Sequence, residues 1–204
     1  MSTVFTKPVV INAPEKDIVF NGCDFTKEAL ISIKSAKSVT FKNCRFYGLT
    51  STAAKAYLIN LNKEAEVKLV IEKCFFGTNE KALYNLLELT GYLMDGSRIS
   101  SNYFTKDCCS HIQVSIYNVK DDATVFVTNN VMSSYRIGLM GSPKCTINIE
   151  NIDYQVVYED EWTSLGLIQP YGGNTVSFND MVLNIKNIKP SNPVEKTIYI
   201  YASG

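Results

Sequence analysis

One stretch of the chain combines carboxylates with aromatic rings. Residues 158–164 read YEDEWTS and contain Tyr158, Glu159, Asp160, Glu161 and the sole tryptophan, Trp162. Aromatic faces stack on sugars and carboxylates accept hydrogen bonds from hydroxyls, so these residue types favour contact with a ligand or partner. The alternative is a solvated loop whose tryptophan packs on the outside of the protein. The segment QPYGGN at 169–174, with Tyr171, lies on the following bend and would neighbour this patch.

A second group joins two cysteines to the only histidine. Cys108, Cys109 and His111 lie in the segment KDCCSH at 106–111. A Cys–His pair can act as a nucleophile, but only if the fold aligns the two side chains. Neighbourhood on a loop does not provide that alignment, so we expect an exposed loop with no catalytic role. The cysteine spacing and the single histidine do not fit a zinc site, so no metal or cofactor is expected.

Three further cysteines recur at one position of a repeated eight-residue phrase. Residues 18–25 read IVFNGCDF and residues 39–46 read VTFKNCRF, which aligns Cys23 with Cys44. LVIEKCFF at 69–76 adds Cys74, and later copies begin at residues 97, 125, 147 and 176. We therefore expect a buried column of small side chains, since free cysteine is among the most buried residue types.

The columns of the seven phrases indicate how each unit folds. Apolar residues fill position three and position eight, whose predicted core column begins Phe25, Phe46, Phe76, Phe104. Positions one and three alternate as in a strand, and so do positions six and eight, but the step from three to six breaks the alternation. Position five therefore has to turn a corner in a left-handed backbone conformation, which Gly, Asn and Asp tolerate best. Its residues are Gly22, Asn43, Lys73, Ser101, Asn129, Asn151 and Asp180.

A fainter phrase between these units predicts a third short strand. It occurs near Ile31, Ile59, Leu87, Val114, Ile137, Leu165 and Ile198, and the segment PVVINAP matches it before the first unit. Three short strands in each unit of about 28 residues are typical of parallel strands stacked in a solenoid. An antiparallel sandwich also has many short strands, but it does not predict matching columns at this interval.

Over residues 10–204 the chain resembles the pectate-lyase-like right-handed parallel β-helix family, which includes polysaccharide lyases and bacteriophage tailspikes. The resemblance implies an all-β, single-stranded right-handed parallel β-helix of about seven coils with three short strands per coil. We expect one domain over 1–204, with an N-terminal arm at 1–9, a solenoid over 10–204 and a loop arm near 184–196. The sugar-cleaving relatives use paired acids, but position seven holds its acids, Asp24 and Asp153, five units apart.

Composition excludes several partners. Twenty Lys and Arg residues balance twenty Asp and Glu residues, so the chain lacks the cationic surface of a nucleic-acid binder. No apolar run is long enough to predict a signal peptide or a membrane span. Without an export signal the six cysteines are expected to be free thiols.

The ends of the predicted solenoid favour an assembly role. First and last coils expose strand edges that need a cap, and the pattern shows none. We therefore expect a non-enzymatic structural component of a viral, bacteriophage particle, such as a capsid decoration, fibre or tail-associated protein. Its partners would be other virion proteins or copies of itself, and its location the virion after synthesis in the host cytoplasm. The alternative is a tailspike-like protein that binds or cleaves a polysaccharide.

Overall fold

The computed structural model describes residues 2–50, 56–79, 83–105, 108–109, 112–132, 136–139, 144–155, 168–172, 180–190 and 201–202. Within these ranges the chain is all-β, with strands and turns and no α-helix. The strands are β1 Val4–Phe5, β2 Val9–Asn21, β3 Asp24–Lys27, β4 Ile31–Lys42, β5 Arg45–Leu49, β6 Tyr57–Leu61, β7 Glu66–Glu72, β8 Phe75–Phe76, β9 Asn85–Leu93, β10 Arg98–Ser100, β11 Tyr103–Phe104, β12 Ile112–Val119, β13 Thr124–Thr128, β14 Val131–Met132, β15 Arg136–Leu139, β16 Thr146–Tyr154, β17 Ile168–Gly172, β18 Val182–Pro190 and β19 Tyr201–Ala202.

The strands pair in parallel, each with its equivalent in the neighbouring unit. We call the ladder built on positions one to four of the phrase the first ladder. Its position-three residues lie opposite one another in the order Phe20, Phe41, Ile71, Ile99, Val127, Ile149 and Ile185. This parallel pairing excludes the antiparallel sandwich for the described strands and confirms the predicted columns for the first six units.

The predicted corners are present. Backbone φ lies between 53° and 65° at Gly22, Asn43, Lys73, Ser101, Asn129 and Asn151. A residue in this left-handed conformation reverses the inside–outside alternation, so side chains on both sides of the corner reach the core. Position five therefore turns the chain as the sequence pattern predicted, even where the residue is lysine or serine.

The seventh unit was predicted seven residues too early. Leu183 lies opposite Ile147 and Ile188 opposite Ile152, so the phrase runs from Leu183 to Pro190 rather than from Val176 to Leu183. Asn187, with φ of 54°, is the corner residue of this unit. Asp180 also has positive φ, but it precedes the strand, as Asp122 and Lys144 do in earlier units. A unit has two corners that favour the same residue types, and the prediction placed Asp180 at the wrong one.

The third ladder follows the fainter phrase. Its registered residues are Val9, Ile31, Ile59, Leu87, Val114, Ile137 and Ile168. The sixth strand is thus centred near Ile168 instead of Leu165, which lies outside the described residues. Ile198 also lies outside them.

Both predicted arms contain strands. In the N-terminal arm, Val4 and Phe5 pair with Asp24 and Phe25. They repeat positions seven and eight of the phrase, and the prediction missed them because two positions are too few to recognise the pattern. The loop arm near 184–196 is strand up to Pro190, because Asn184, Ile185 and Ile188 continue the first-ladder pattern. Residues 191–196 lie outside the described part of the chain.

The core lies between the ladders and contains a column of stacked phenylalanines. Ring centroids are 4.8, 4.9, 4.8 and 4.5 Å apart along this column. These spacings match the distance between neighbouring parallel strands, so each ring stacks on its equivalent in the next unit. The column consists of Phe5, Phe25, Phe46, Phe76 and Phe104.

Candidate functional site

The predicted ligand patch is not among the described residues. Tyr158, Glu159, Asp160, Glu161 and Trp162 lie in the range 156–167, which the structure does not describe. Of Tyr171 only the backbone is described: it lies in β17 opposite Tyr201. A ligand contact at these residues stays a prediction.

The two cysteines next to the histidine are buried. Cys108 and Cys109 have exposed fractions of 0% and 2%, so the expectation of an exposed loop is wrong for them. Asn79 explains part of the burial, because its Nδ2 donates to the Cys108 carbonyl at 2.7 Å while its Oδ1 accepts from Leu49 N–H at 3.0 Å. His111 lies outside the described residues.

The cysteine column is a packing feature that continues into asparagines. Cys23, Cys44 and Cys74 are free and buried, as predicted. The Cys74 thiol faces the carbonyls of Glu72 and Phe41 at 3.4 and 3.5 Å. Its contact with the Cys44 thiol, together with burial, raises the pKa of Cys74. These surroundings disfavour a reactive thiolate at Cys74.

Asn102 and Asn130 occupy the same column and link three units. Asn102 Oδ1 accepts from Cys74 N–H at 2.9 Å, and Asn102 Nδ2 donates to the Ile71 carbonyl at 3.0 Å. Asn130 Oδ1 accepts from Asn102 N–H at 2.9 Å. Each amide therefore satisfies backbone groups that the corner takes out of the strand ladder.

On the outward face of the second ladder, built on positions six to eight, Asp24 forms an ion pair. Arg45 donates from Nε to Asp24 Oδ1 at 2.7 Å and from Nη2 to Oδ2 at 2.5 Å. These hydrogen bonds lower the pKa of Asp24 below its usual value. Asp153, the other acid in this column, lies opposite Lys189. Among the described residues this column has no pair of neighbouring acids.

A buried carboxylate that the sequence analysis missed lies on the third ladder. Glu88 is 5% exposed and accepts hydrogen bonds from Asn85 Nδ2 at 2.6 Å and from Tyr117 Oη at 2.8 Å. Burial and the neighbouring Glu88 raise the pKa of Tyr117 and of Tyr57. The signal in the sequence was a charged residue in a run of leucines, NLLELTG, at an outward position of a strand.

A shallow groove lies beside this cluster. It has a volume of about 280 Å³ and is lined in part by Val10, Leu30, Tyr57 and Asn60. Asn60 is the strand neighbour of Glu88 on the same outward column. The groove thus combines apolar side chains with Tyr57, Ser32 and Asn60, and it lies next to a carboxylate that is hydrogen-bonded to a tyrosine.

The first unit leaves an exposed strand edge. Among the described strands, β2 pairs over its length only with β4, in the unit after it. Val10 and Val19 are 57% and 63% exposed, and Phe5 and Phe20 are only partly buried. This end of the ladders presents apolar side chains and unpaired backbone groups together.

Other kinds of site find no support in the described part of the chain. Within those ranges, no three His, Cys, Asp or Glu side chains are placed to hold a metal ion. The same residues form no helix that is long and apolar enough to cross a membrane.

Comparison with known proteins found no matching family model, curated protein or solved structure.

Proposed function

We propose that the chain is a right-handed parallel β-helix that acts as a non-enzymatic structural component of a viral particle of the bacteriophage type. In this proposal it is a capsid decoration, fibre or tail-associated protein that docks through the ends of its ladders and its loop edge. Support for the β-helix comes from the in-register parallel pairing across seven units. The assignment to a particle rests on the resemblance to bacteriophage β-helix proteins.

The observation that carries the docking role is the open edge of β2. Exposed edges of long strands pair readily with other chains, and proteins that remain monomeric usually blunt them with charge, proline or a covering loop. Here the edge carries Val10 and Val19, both more than half exposed. Between them β2 also carries the exposed Pro14 and the charged residues 15–17, so only its two ends are free of these features. The Phe20 ring stacks on the Phe41 ring of the second unit, with 5.0 Å between the ring centroids. The Phe5 ring contacts the Phe20 ring edge-on, with 5.6 Å between the centroids. The surface is therefore suited to burial against another chain.

The first experiment is the mass of the purified protein in solution, measured by light scattering across concentration. Defined oligomers or filaments support docking through the ends. A monomer at every concentration, which also fails to join particles when they are assembled in its presence, contradicts the proposal.

A second candidate function is binding of a polysaccharide, favoured by the groove beside Glu88. Tyr57 lines that groove, and Tyr117 donates to the carboxylate at 2.8 Å. Tyrosines next to a carboxylate suit sugar rings and hydroxyls. A panel of polysaccharides tests it, with Tyr57→Ala for the groove and joint substitution of Glu159, Asp160 and Glu161 for the predicted patch. If the wild-type protein binds a polysaccharide and neither variant binds it more weakly, both sites are wrong.

A further inference from the structure

The carboxylate of Glu88 is buried without a cation beside it. Its side chain is 5% exposed, and its hydrogen-bond donors among the described residues are the neutral groups Asn85 Nδ2 and Tyr117 Oη. No ion pair between described residues includes Glu88. Glutamate is rarely buried unless an opposite charge lies next to it. The position therefore suits a positive group that comes from outside the described chain.

Three tyrosines are grouped at this carboxylate, and we call them the tyrosine cluster: Tyr57, Tyr84 and Tyr117. All three are partly buried. The Tyr57 and Tyr84 rings have centroids 6.4 Å apart and meet at 67°, so they form two walls of a corner. Burial raises the pKa of Tyr57 and of Tyr117, and the negative charge of Glu88 raises both further. Aromatic surface and one negative charge thus lie together.

The shallow groove leads to this cluster. Ser32 and Asn60 line it, and Ser32, Asn60 and Glu88 lie opposite one another on successive strands. Neighbouring parallel strands are about 4.8 Å apart, so Glu88 lies one strand beyond Asn60. Tyr57 lines the same groove. A ligand in the groove therefore reaches both an aromatic ring and the vicinity of the carboxylate.

The surroundings decide which kind of cation fits. Calcium and magnesium take six or more oxygen ligands, and within the described ranges no cluster of acidic side chains provides them. Aromatic faces attract a cation more strongly where water is excluded, and alkyl groups on the cation gain contact with the rings. Val10 and Leu30 add apolar surface along the groove. An uncharged sugar would leave Glu88 without a counter-charge, so an alkylated ammonium ion fits better.

We infer that the tyrosine cluster, Glu88 and the adjoining groove form a binding site for an organic ammonium ion. The alkylated nitrogen lies against the tyrosine rings next to the carboxylate, and the apolar part of the ligand lies in the groove. The inference does not depend on the proposed docking role. It assigns the groove a cation in place of the uncharged sugars of the second candidate function.

Choline and its uncharged carbon analogue, 3,3-dimethyl-1-butanol, separate the effect of charge from that of shape. Both are titrated into the full chain by isothermal titration calorimetry, with sodium chloride used to keep the ionic strength constant. We expect choline to bind in the millimolar range and the analogue about tenfold more weakly. Absence of choline binding, or equal affinity for the two compounds, would overturn the inference.

Two substitutions of Tyr57 test the aromatic ring. Tyr57→Leu keeps an apolar side chain but removes the ring face, so it should weaken choline binding about three- to tenfold. Tyr57→Phe keeps the ring and removes only the hydroxyl, so its affinity should stay within about twofold of the wild type. An equal loss in both variants would mean that the hydroxyl holds the ligand, as for a sugar, and would contradict the site.

Glu88→Gln tests the carboxylate, because it removes the charge with little change of shape. It should weaken choline binding about tenfold and leave binding of the analogue unchanged. Glu72→Gln is the control, since Glu72 lies on the first ladder and pairs with Arg98 at 3.5 Å; it should bind choline as the wild type does. Wild-type affinity in Glu88→Gln, or an equal loss in the control, would refute the role of Glu88.

Thermal denaturation of each variant shows whether it is folded. If Glu88→Gln does not fold, the comparison of Tyr57→Leu with Tyr57→Phe decides the inference alone. These readouts concern binding of a small cation by single chains, so they can fail while the protein still joins a particle, or succeed while it does not.

Discussion

At the scale of single residues, the units are tied together by a few polar groups. Asp24 and Arg45 join the first and second units across the outward face, and Asp24 is only 5% exposed. Asn102 joins three units from inside the cysteine column. Stability should therefore respond sharply to these positions and weakly to exposed equivalents in the same columns.

The Asp24 carboxylate should make stability fall in acid. Because Arg45 lowers the pKa of Asp24 in the folded chain, the pair stabilises the fold above the unfolded value of about 3.9, and this contribution is lost as the pH falls through the folded pKa. Asp24→Asn should lower the free energy of unfolding at neutral pH by about 1 kcal/mol, and the difference should vanish in strong acid. Urea denaturation across pH measures it. Asp153→Asn, an exposed acid in the same column, is the control, and an equal loss there would contradict the role of the pair.

Asn102, which follows a corner residue, should be much harder to replace than a polar residue at a corner. Asn102→Ala leaves the buried Cys74 N–H without its acceptor, so we expect a loss of about 2–3 kcal/mol in the free energy of unfolding. Asn43→Gly, at an exposed corner position whose left-handed φ glycine adopts without strain, should lose less. Thermal and urea denaturation compare the two, and a smaller loss at Asn102 would refute the bridging role.

At the scale of elements, the corners decide how each strand leaves its ladder. Lys73 has φ of 54° and Ser101 has φ of 57°, values that glycine adopts without cost and other residues adopt under strain. The sequence pattern predicted both corners from their place in the column rather than from their residue type. It misplaced the seventh corner because Asp180 and Asn187 both suit a left-handed backbone. The phrases around them, 176–183 and 183–190, both show the expected alternation of apolar and polar residues.

Glycine substitution should separate corner positions from strand positions. Lys73→Gly should raise the free energy of unfolding by about 0.5–1 kcal/mol, because it relieves the left-handed strain. Lys42→Gly, one residue before the preceding corner and within β4, should lower it by a similar amount. Denaturation of the two variants side by side gives the comparison, and a loss at both positions would mean that Lys73 is not strained.

The carboxylate on the third ladder shows what periodicity cannot reveal. Glu88 occupies an outward position of β9, where the alternating pattern predicts a solvated side chain. Its burial depends on neighbours that are distant in the sequence, among them Tyr117 of the next unit, and alternation along one strand does not reveal them. The same reason explains Cys108 and Cys109, whose segment looks like an exposed loop in the sequence.

At the scale of the whole molecule, the ladders are built from apolar columns and the formal charges cancel. Equal numbers of basic and acidic residues leave no net charge to hold copies apart. The exposed side chains at the first unit include the apolar Val4, Val10 and Val19, and the exposed charged residues 15–17 lie between the two valines of β2. An assembly through this end should therefore depend on burial of apolar surface and on strand pairing more than on ion pairs.

High salt should therefore not dissociate such an assembly into monomers. Raising the salt concentration shortens the range of electrostatic attraction to about 3 Å at 1 M, but it does not weaken contacts between apolar side chains. We expect the mass measured by light scattering to stay constant or to increase from low to high salt. A shift to monomers at high salt would show that charged groups hold the copies together.

The number of residues between equivalent positions differs from unit to unit, so the connections between strands can vary in length. Equivalent residues are 21, 30, 28, 28, 22 and 36 positions apart, yet they remain opposite one another in the first ladder. The extra length is absorbed between strands without a shift of register, since each unit is positioned by its neighbours and not by a fixed count. Foreign peptides grafted into these connections would be presented at defined heights along a rigid support, which makes the chain a natural starting point for a display scaffold.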